Sequence, residues 1–509
     1  MQTRTIAWTA LLWLAAGCAD DEVTAPLDRG ARLDATDPPD ATADAAADAT
    51  ADAASDASVD AASDATSDAI TDATLDALPD AIANGMPDAT PDPTDADPVP
   101  DATPDPTPDA APPEGPAVYA PGRDHSPITP HVAANLRAIA ARAPAQQDDV
   151  FSKIGASSTV SPWFMHCFAG DAIDLDGRDH LWPTIDHFAA GDAAGTDPYT
   201  RESLSATVGW SARNALAGDP SPLQQEIDAT RPRHAIVMYG TNDIQRRDID
   251  GYAGDLFTLV DTLTAQGIIP ILSAIMPRDD DPEADALVPS YNAVVRGVAQ
   301  ARQIPFIDYH RRLAVLPDHG LGQDRLHASV YRTPQGARPC DFTPDGLTAG
   351  YNIRNLLVIE ALTRVRAALA DQPAQDPPAP LATAAGTLAD PIEVTALPYT
   401  DTRDTTASPH RRIDAYPACG AAQDESGPEY VYRLTLDRPT LIRAWVLDRG
   451  LVDIDLHLLG GPDPATCLDR DHRELVASLD PGEWYLVADT FVAAAGERAG
   501  EYLLVIVEE

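Results

Sequence analysis

The chain has 509 residues, and at roughly 100–200 residues per domain that length predicts two to four units rather than one. Its 80 Asp+Glu against 35 Lys+Arg give a formal charge of −45, which argues against nucleic-acid partners, whose phosphates such a chain repels. The hydrophobic fraction of 44% is that of globular proteins, so the acid and the 47 prolines should be concentrated in part of the chain.

Met1–Gly17 carries one positive charge, Arg4, then an apolar stretch from Ile6 to Ala16 that is too short to span a bilayer. This is the architecture of a secretory signal. The run Leu14-Ala15-Ala16-Gly17-Cys18 resembles a bacterial lipobox, although Ala15 stands where the leucine usually does and Leu14 is one residue further back. The resemblance implies a lipidated Cys18 as the mature N-terminus, with Ala19 after it favouring the outer membrane or cell surface of a Gram-negative bacterium. Secretion with a free Cys18 thiol is the plainer alternative.

Residues 19–116 hold 25 acids and two bases, a local charge of −23. An aspartate recurs every fourth residue from Asp40 to Asp80, a spacing that would stack like charges along a helix. Beyond Asp80 the stretch turns proline-rich, and almost nothing in it can be buried to offset the entropy of ordering. We expect residues 18–120 to form a disordered stalk, fully extended to about 320 Å, between a membrane anchor and the folded part of the chain.

From residue 121 to 370 the pattern changes. Apolar runs at Val150–Ile154, His234–Tyr239, Ile268–Ile275 and Ile304–Asp308 predict buried strands, separated by helical patterns at Tyr252–Gln266 and Ala284–Arg302. A last helix is expected to open at Thr343-Pro344-Asp345, with Thr as N-cap, and run toward Leu369. Continuous apolar strands alternating with helices predict an α/β fold, a parallel sheet covered on both faces. Such sheets carry their functional loops at the carboxyl ends of the strands.

Those ends hold a consistent set. The first strand runs into Gly155-Ala156-Ser157-Ser158-Thr159, Gly209 lies within TVGWSARN, and the second long strand runs into Gly240-Thr241-Asn242-Asp243. Late in the domain comes Asp324-Arg325-Leu326-His327. A serine at a strand end needs a base to become a nucleophile, and a histidine held by an aspartate can supply one. A glycine N–H and an asparagine amide are donors suited to an oxyanion. Together these segments resemble the SGNH hydrolases, the GDSL-type esterase family, over about residues 148–330.

The resemblance implies a flavodoxin-like sheet and an ester hydrolase that needs no cofactor. By that pattern Ser157 would be the nucleophile, His327 the general base and Asp324 its orienting partner. Ser157 N–H, Gly209 N–H and the Asn242 amide would form the oxyanion hole. The sequence departs from the pattern at Ala156, where the family has aspartate, and Ser158 offers a second hydroxyl; the small-x-Thr ending of GASST favours Ser157. Asp179-His180, Asp186-His187 and Asp318-His319 are other Asp–His neighbours, but adjacent residues usually point apart. The run Asp279-Asp280-Asp281 reads as a solvated loop, and no His/Cys cluster has zinc spacing, so no metal site is expected.

A Pro/Ala-rich linker is expected over 371–390. From 391 to 509 strands of period two follow, at Tyr430–Leu436, Leu441–Leu447, Val452–Leu458, Trp484–Ala488 and Tyr502–Val507. They predict an all-β sandwich. The succession YVYRLTL, VDIDLHLL and PGEWYLVADT resembles the bacterial pre-peptidase C-terminal domain, which implies an accessory role without catalysis. With Cys18 set aside, four cysteines remain, and the simplest pairing for an exported chain is Cys167 with Cys340 and Cys419 with Cys467. Four free thiols, or a pairing across domains, are the alternatives.

The whole reads as a membrane-tethered esterase acting on acetyl or short acyl esters, with surface polysaccharide as a candidate substrate. A catalytically impaired surface-display or carbohydrate-binding lipoprotein on the same domains is the competing reading, supported by Ala156 alone.

Overall fold

The computed structural model of the protein describes residues 115–381, 383–420 and 423–509. The expected signal peptide, Cys18 and the repeating aspartates lie outside the described residues. Among the described residues no helix is long and apolar enough to cross a membrane.

Four parallel strands form the first sheet in the order β1-β2-β3-β4: Gln147–Gly155 (β1), Pro232–Met238 (β2), Ile269–Ser273 (β3) and Phe306–Ile307 (β4). Every residue of β2, β3 and β4 is buried, as a sheet covered on both faces requires. A parallel bridge from Gly155 to Ala206 adds the beginning of a further strand outside β1.

Two short helices lie near the carboxyl ends of the strands, Ser157–Val160 (α1) and Ala212–Leu216 (α2). The longer helices follow the expected periodicity with two corrections. Ile249–Ala265 (α3) is one helix, but the pattern over 284–302 divides into Pro282–Asp285 (α4) and Val288–Arg302 (α5). Asp281 caps the first of these through its carboxylate, accepting from Glu283 and Ala284 N–H, which sets a separate start. The last helix does not open at Thr343. Thr343 instead accepts from Gly346 N–H above a 3-10 turn, Ala349 is extended, and the long helix is Gly350–Leu369 (α6). Ser329 accepts from its first two N–H groups, Gly350 and Tyr351, and position 350 is glycine because a side chain there would meet Gly320 O at 2.5 Å.

The boundaries also move. Residues 115–120, assigned to the stalk, are part of the folded unit: Ala117 and Tyr119 are buried, and Ala117 pairs with Pro380. The expected linker is correspondingly fastened. Val118 N–H donates to Ala379 O, and Asp376 binds Ile128 N–H and Arg364.

Beyond it two antiparallel sheets face each other. One has the order Glu474–Leu479 (β11), Thr440–Asp448 (β8), Glu501–Glu508 (β13) and Tyr399–Asp404 (β6); the other has Cys467–Asp471 (β10), Ile454–Leu459 (β9), Gly482–Thr490 (β12), Glu429–Leu436 (β7) and Ile392–Val394 (β5). Only β5 joins its neighbour in parallel. The four-stranded sheet turns its outer face to α5, where Leu447, Leu503, Val505 and Val507 enter the core of the α/β domain. A side chain on Gly297 would meet Leu503 Cδ1 at 2.6 Å, so glycine sets the closeness of this contact. Around it Arg302 bonds Asp261 and Glu501, and Arg449 bonds Glu501. The two domains are packed together.

Candidate active site

The site begins with a close approach. Gly155 ends β1, and a Cβ there would lie 2.3 Å from Thr159 Oγ1 and 2.7 Å from Met238 O. Only glycine lets the chain turn from strand into α1 this tightly, which leaves Ser157 partly exposed at the sheet's carboxyl edge. Ala156 takes the N-cap position and offers no side-chain acceptor. Among the described residues the Ser157 N–H has no acceptor.

His327 Nε2 lies 2.8 Å from Ser157 Oγ, and His327 Nδ1 lies 2.7 Å from Asp324 Oδ2. An ionised carboxylate only accepts, so Nδ1 carries the proton and Nε2 faces the serine hydroxyl as acceptor. Asp324 also takes His327 N–H and Leu326 N–H on its other oxygen, at 3.0 and 3.2 Å. Partial burial works against its charge, but these hydrogen bonds win and hold the carboxyl below its usual range. Ser158 does not compete for the histidine; it is buried beside the Tyr351 hydroxyl.

The remaining loops are tied to the same place. Gly155 N–H donates to Ser205 O and Thr207 N–H donates to Gly155 O, pinning the segment that carries Gly209. Gly209 has φ +79°, a conformation that favours glycine. The Asn242 amide donates one hydrogen to Trp210 O at 2.8 Å, which leaves its second to be used. Asp243 is buried and accepts from Ala212 N–H and Gly240 N–H, clipping the loop after β2 to α2. Burial pushes its pKa up to about 6 despite those donors.

Several positioning residues were not read from sequence. Arg354 on α6 is fully buried, donates to Ser158 O at 2.7 Å and Thr159 Oγ1 at 3.0 Å, and lies over the Phe164 ring. Asn355 bonds Met165 N–H, Trp163 O and Pro339 O. The helix also carries Glu360, Arg364 and Arg366, so nothing in the sequence singles out Arg354. The acidic run is also more than a solvated loop. Asp279 holds His319 Nδ1 and Arg325, Asp280 pairs with Arg278, and Arg278 reaches Thr241 O. His319 is thereby engaged with Asp279, His180 is exposed, and His187 contacts Asp148 O. Cys167 and Cys340 form a disulfide with Cα atoms 5.7 Å apart, and Cys419 and Cys467 form another with Cα atoms 5.5 Å apart.

Residues 179–332 match the model of the GDSL-like Lipase/Acylhydrolase family. The chain carries a GDSL-like hydrolase domain. The match makes this an ester-bond hydrolase. It takes in Gly209, Asn242, Asp324 and His327 and begins after Ser157.

Among solved structures, the chain is similar to an acetylxylan esterase from Geobacillus stearothermophilus, at 15% identity and a TM-score of 0.28, over 43% of this chain and 94% of that one. It is also similar to a GDSL-like lipase from Bacteroides thetaiotaomicron, at 18% identity and a TM-score of 0.26, over 45% of this chain and 98% of that one. No curated protein matches the chain.

Proposed function

We propose that the protein is a serine esterase that cleaves carboxylic esters by two-step acyl transfer through Ser157. The observation that carries this reading is the unbroken line from Asp324 through His327 to Ser157 Oγ, with both links at 2.7–2.8 Å. Ser157 Oγ attacks the ester carbonyl as its proton passes to His327 Nε2, and Asp324 stabilises the imidazolium that forms. Negative charge gathers on the carbonyl oxygen, where the Ser157 and Gly209 N–H groups and the second hydrogen of the Asn242 amide would receive it. His327 then gives its proton to the departing alcohol. A water molecule, deprotonated by the same nitrogen, releases the acid and restores Ser157.

The site is open, with the His327 side chain 36% and the Asp324 side chain 54% exposed, which suits an ester projecting from a larger body better than one to be engulfed. We take acetyl or short acyl groups on carbohydrate as the substrate class. Tethering through a lipidated Cys18 and the acidic stalk would place the enzyme at an exported membrane surface beside such polymers. The test compares the full chain with Ser157→Ala in hydrolysis of p-nitrophenyl acetate and in fluorophosphonate labelling, and equal signals from the two proteins would overturn the assignment. A series of acyl chain lengths, and release of acetate from acetylated polysaccharide, then fix the substrate. Metabolic labelling with palmitate, lost on Cys18→Ser, checks the anchor.

A further inference from the structure

The sandwich hides a polar cluster unrelated to ester hydrolysis. Glu425, on the loop before β7, Asp455 and His457 on β9, and Asp489 on β12 are all completely buried. Asp455 and Asp489 face each other across the paired strands, and His457 lies two residues along on the same face. Donor atoms of Glu425, His457 and Asp489 lie within 4.8 Å of one another.

Their hydrogen bonding is incomplete. Neither ring nitrogen of His457 has a hydrogen-bond partner among the described residues, and the same holds for Glu425 Oε2 and Asp489 Oδ1. The filled positions are on the other side: Tyr416 OH donates to Asp489 Oδ2 at 2.6 Å, and the Tyr416 ring stacks on His457 at 3.6 Å. Arg470 is the nearby cation, 3.4 Å from Glu425 and 3.0 Å from Asp455. His472 reaches Asp455 from the rim at 3.4 Å. Three buried carboxyl groups thus share one guanidinium, and as anions such groups are stable only when paired or coordinated. Protonating the acids would neutralise the charge, but Glu425 Oε1 stands 3.8 Å from His457 Nε2, beyond hydrogen-bond reach, and Nδ1 has no partner among the described residues.

We propose that Glu425 Oε2, Asp489 Oδ1 and a ring nitrogen of His457 hold one divalent cation of the zinc class. The ion fastens the loop residues 423–428 onto the five-stranded sheet. An imidazole with two carboxylates selects a borderline metal, since calcium and magnesium take oxygen donors. Arg470 and His472 reach Asp455, so one divalent ion would balance the Glu425 and Asp489 carboxylates. Cys419 and Cys467 lie beside His457, but their disulfide withdraws both sulfurs from ligation. Asp453, Asp455 and His472 form a neighbouring group at the rim, where His472 is half-exposed and already paired with Asp453 at 3.0 Å.

The experiment uses the oxidised full chain, stripped with chelator and titrated with zinc sulfate. We expect one zinc per chain after desalting, a higher thermal midpoint, and an X-ray absorption shell of oxygen and nitrogen without sulfur. Asp489→Asn and His457→Gln should each weaken zinc binding by about 100-fold or more, with p-nitrophenyl acetate hydrolysis unchanged. No retained zinc in the wild-type chain overturns the proposal, and because it needs no variant it decides even if a variant fails to fold. A sulfur scatterer, displacement of zinc by calcium, or loss of binding on His472→Ala but not on Asp489→Asn overturns it equally.

Discussion

His327 and His457 show how one side chain serves opposite ends. His327 sits at an open loop with a partner on each nitrogen, a carboxylate at 2.7 Å and a hydroxyl at 2.8 Å. His457 is sealed beneath Tyr416 on the face of the five-stranded sheet turned away from the other sheet, with no hydrogen-bond partner on either nitrogen among the described residues. The first arrangement leaves the proton mobile between defined positions, which is what general-base chemistry needs. The second costs stability unless something else binds the ring. Exposure with partners points to catalysis, and burial without them points to a ligand.

The largest effects should fall on the first histidine. Ser157→Ala and His327→Ala are each expected to lower kcat by about 10⁴-fold or more, and the double variant should lose little beyond either single one, because the groups act as a unit. Steady-state kinetics on p-nitrophenyl acetate would show this, and additive losses would break the relay. Asp324→Asn should cost about 10³–10⁴-fold, through the tautomer rather than the geometry. The Asp324 carboxyl is held below its usual range, so it stays ionised throughout the working pH range. Any contribution of this pairing to folding is present above the unfolded carboxylate pKa and is lost as pH falls through the lower folded value. An acid limb of kcat/KM that moves on Asp324→Asn would place the titration on the pair, and one that stays fixed would remove Asp324 from it.

Next come the residues that hold the serine turn without touching substrate. Arg354→Met removes the donors to Ser158 O and Thr159 Oγ1 from a fully buried place. We expect a loss of about 3 kcal/mol in stability, read by denaturant unfolding. We also expect kcat to fall by about 10- to 100-fold as Ser157 drifts from His327. Arg354→Lys should rescue little, since one ammonium cannot reproduce the two-pronged contact. A stability loss with kcat intact would make Arg354 purely structural.

The disulfides come after. Cys167 and Cys340 are 173 residues apart and join the segment after Ser157 to the segment after His327. The double serine variant should lose about 2–4 kcal/mol, with most of the activity kept at low temperature.

What could be read from sequence depended on how local its cause was. The four parallel strands were legible because a sheet buried on both faces writes itself as continuous apolar runs, and a parallel sheet puts its functional loops at strand ends. Ser157, Asn242 and His327 could be named because the segments that hold them resemble a known hydrolase pattern. The start of α6 could not, because its first N–H groups are taken by Ser329, twenty-one residues away in sequence. The pairing of Ala117 with Pro380 is equally nonlocal, so the stalk was drawn too long. The buried quartet of the sandwich was hidden for the same reason. Its members come from one loop and two strands, and each alone resembles an ordinary polar residue of an alternating strand.

The smallest expected effect tests the departure at Ala156, and with it whether the exposed site depends on a cap as the buried one depends on a ligand. Ala156 is the N-cap of α1 and has no acceptor to offer the first N–H groups of that turn. An aspartate there can accept from them, and caps of this kind stabilise by about 0.5–2 kcal/mol in longer helices. The turn is only four residues long and is already held from beneath by Arg354, so Ala156→Asp should gain less than about 1 kcal/mol. The Ser157 N–H should remain free, because an N-cap side chain reaches the second or third N–H of a helix and not the first. Hydrolysis by Ala156→Asp is therefore expected to stay within about threefold of the parent. A rise of 100-fold would show that alanine had impaired the site. A fall of that size would show that the free donors at this turn include one the aspartate takes, which would move the oxyanion assignment from Ser157 N–H to its neighbour.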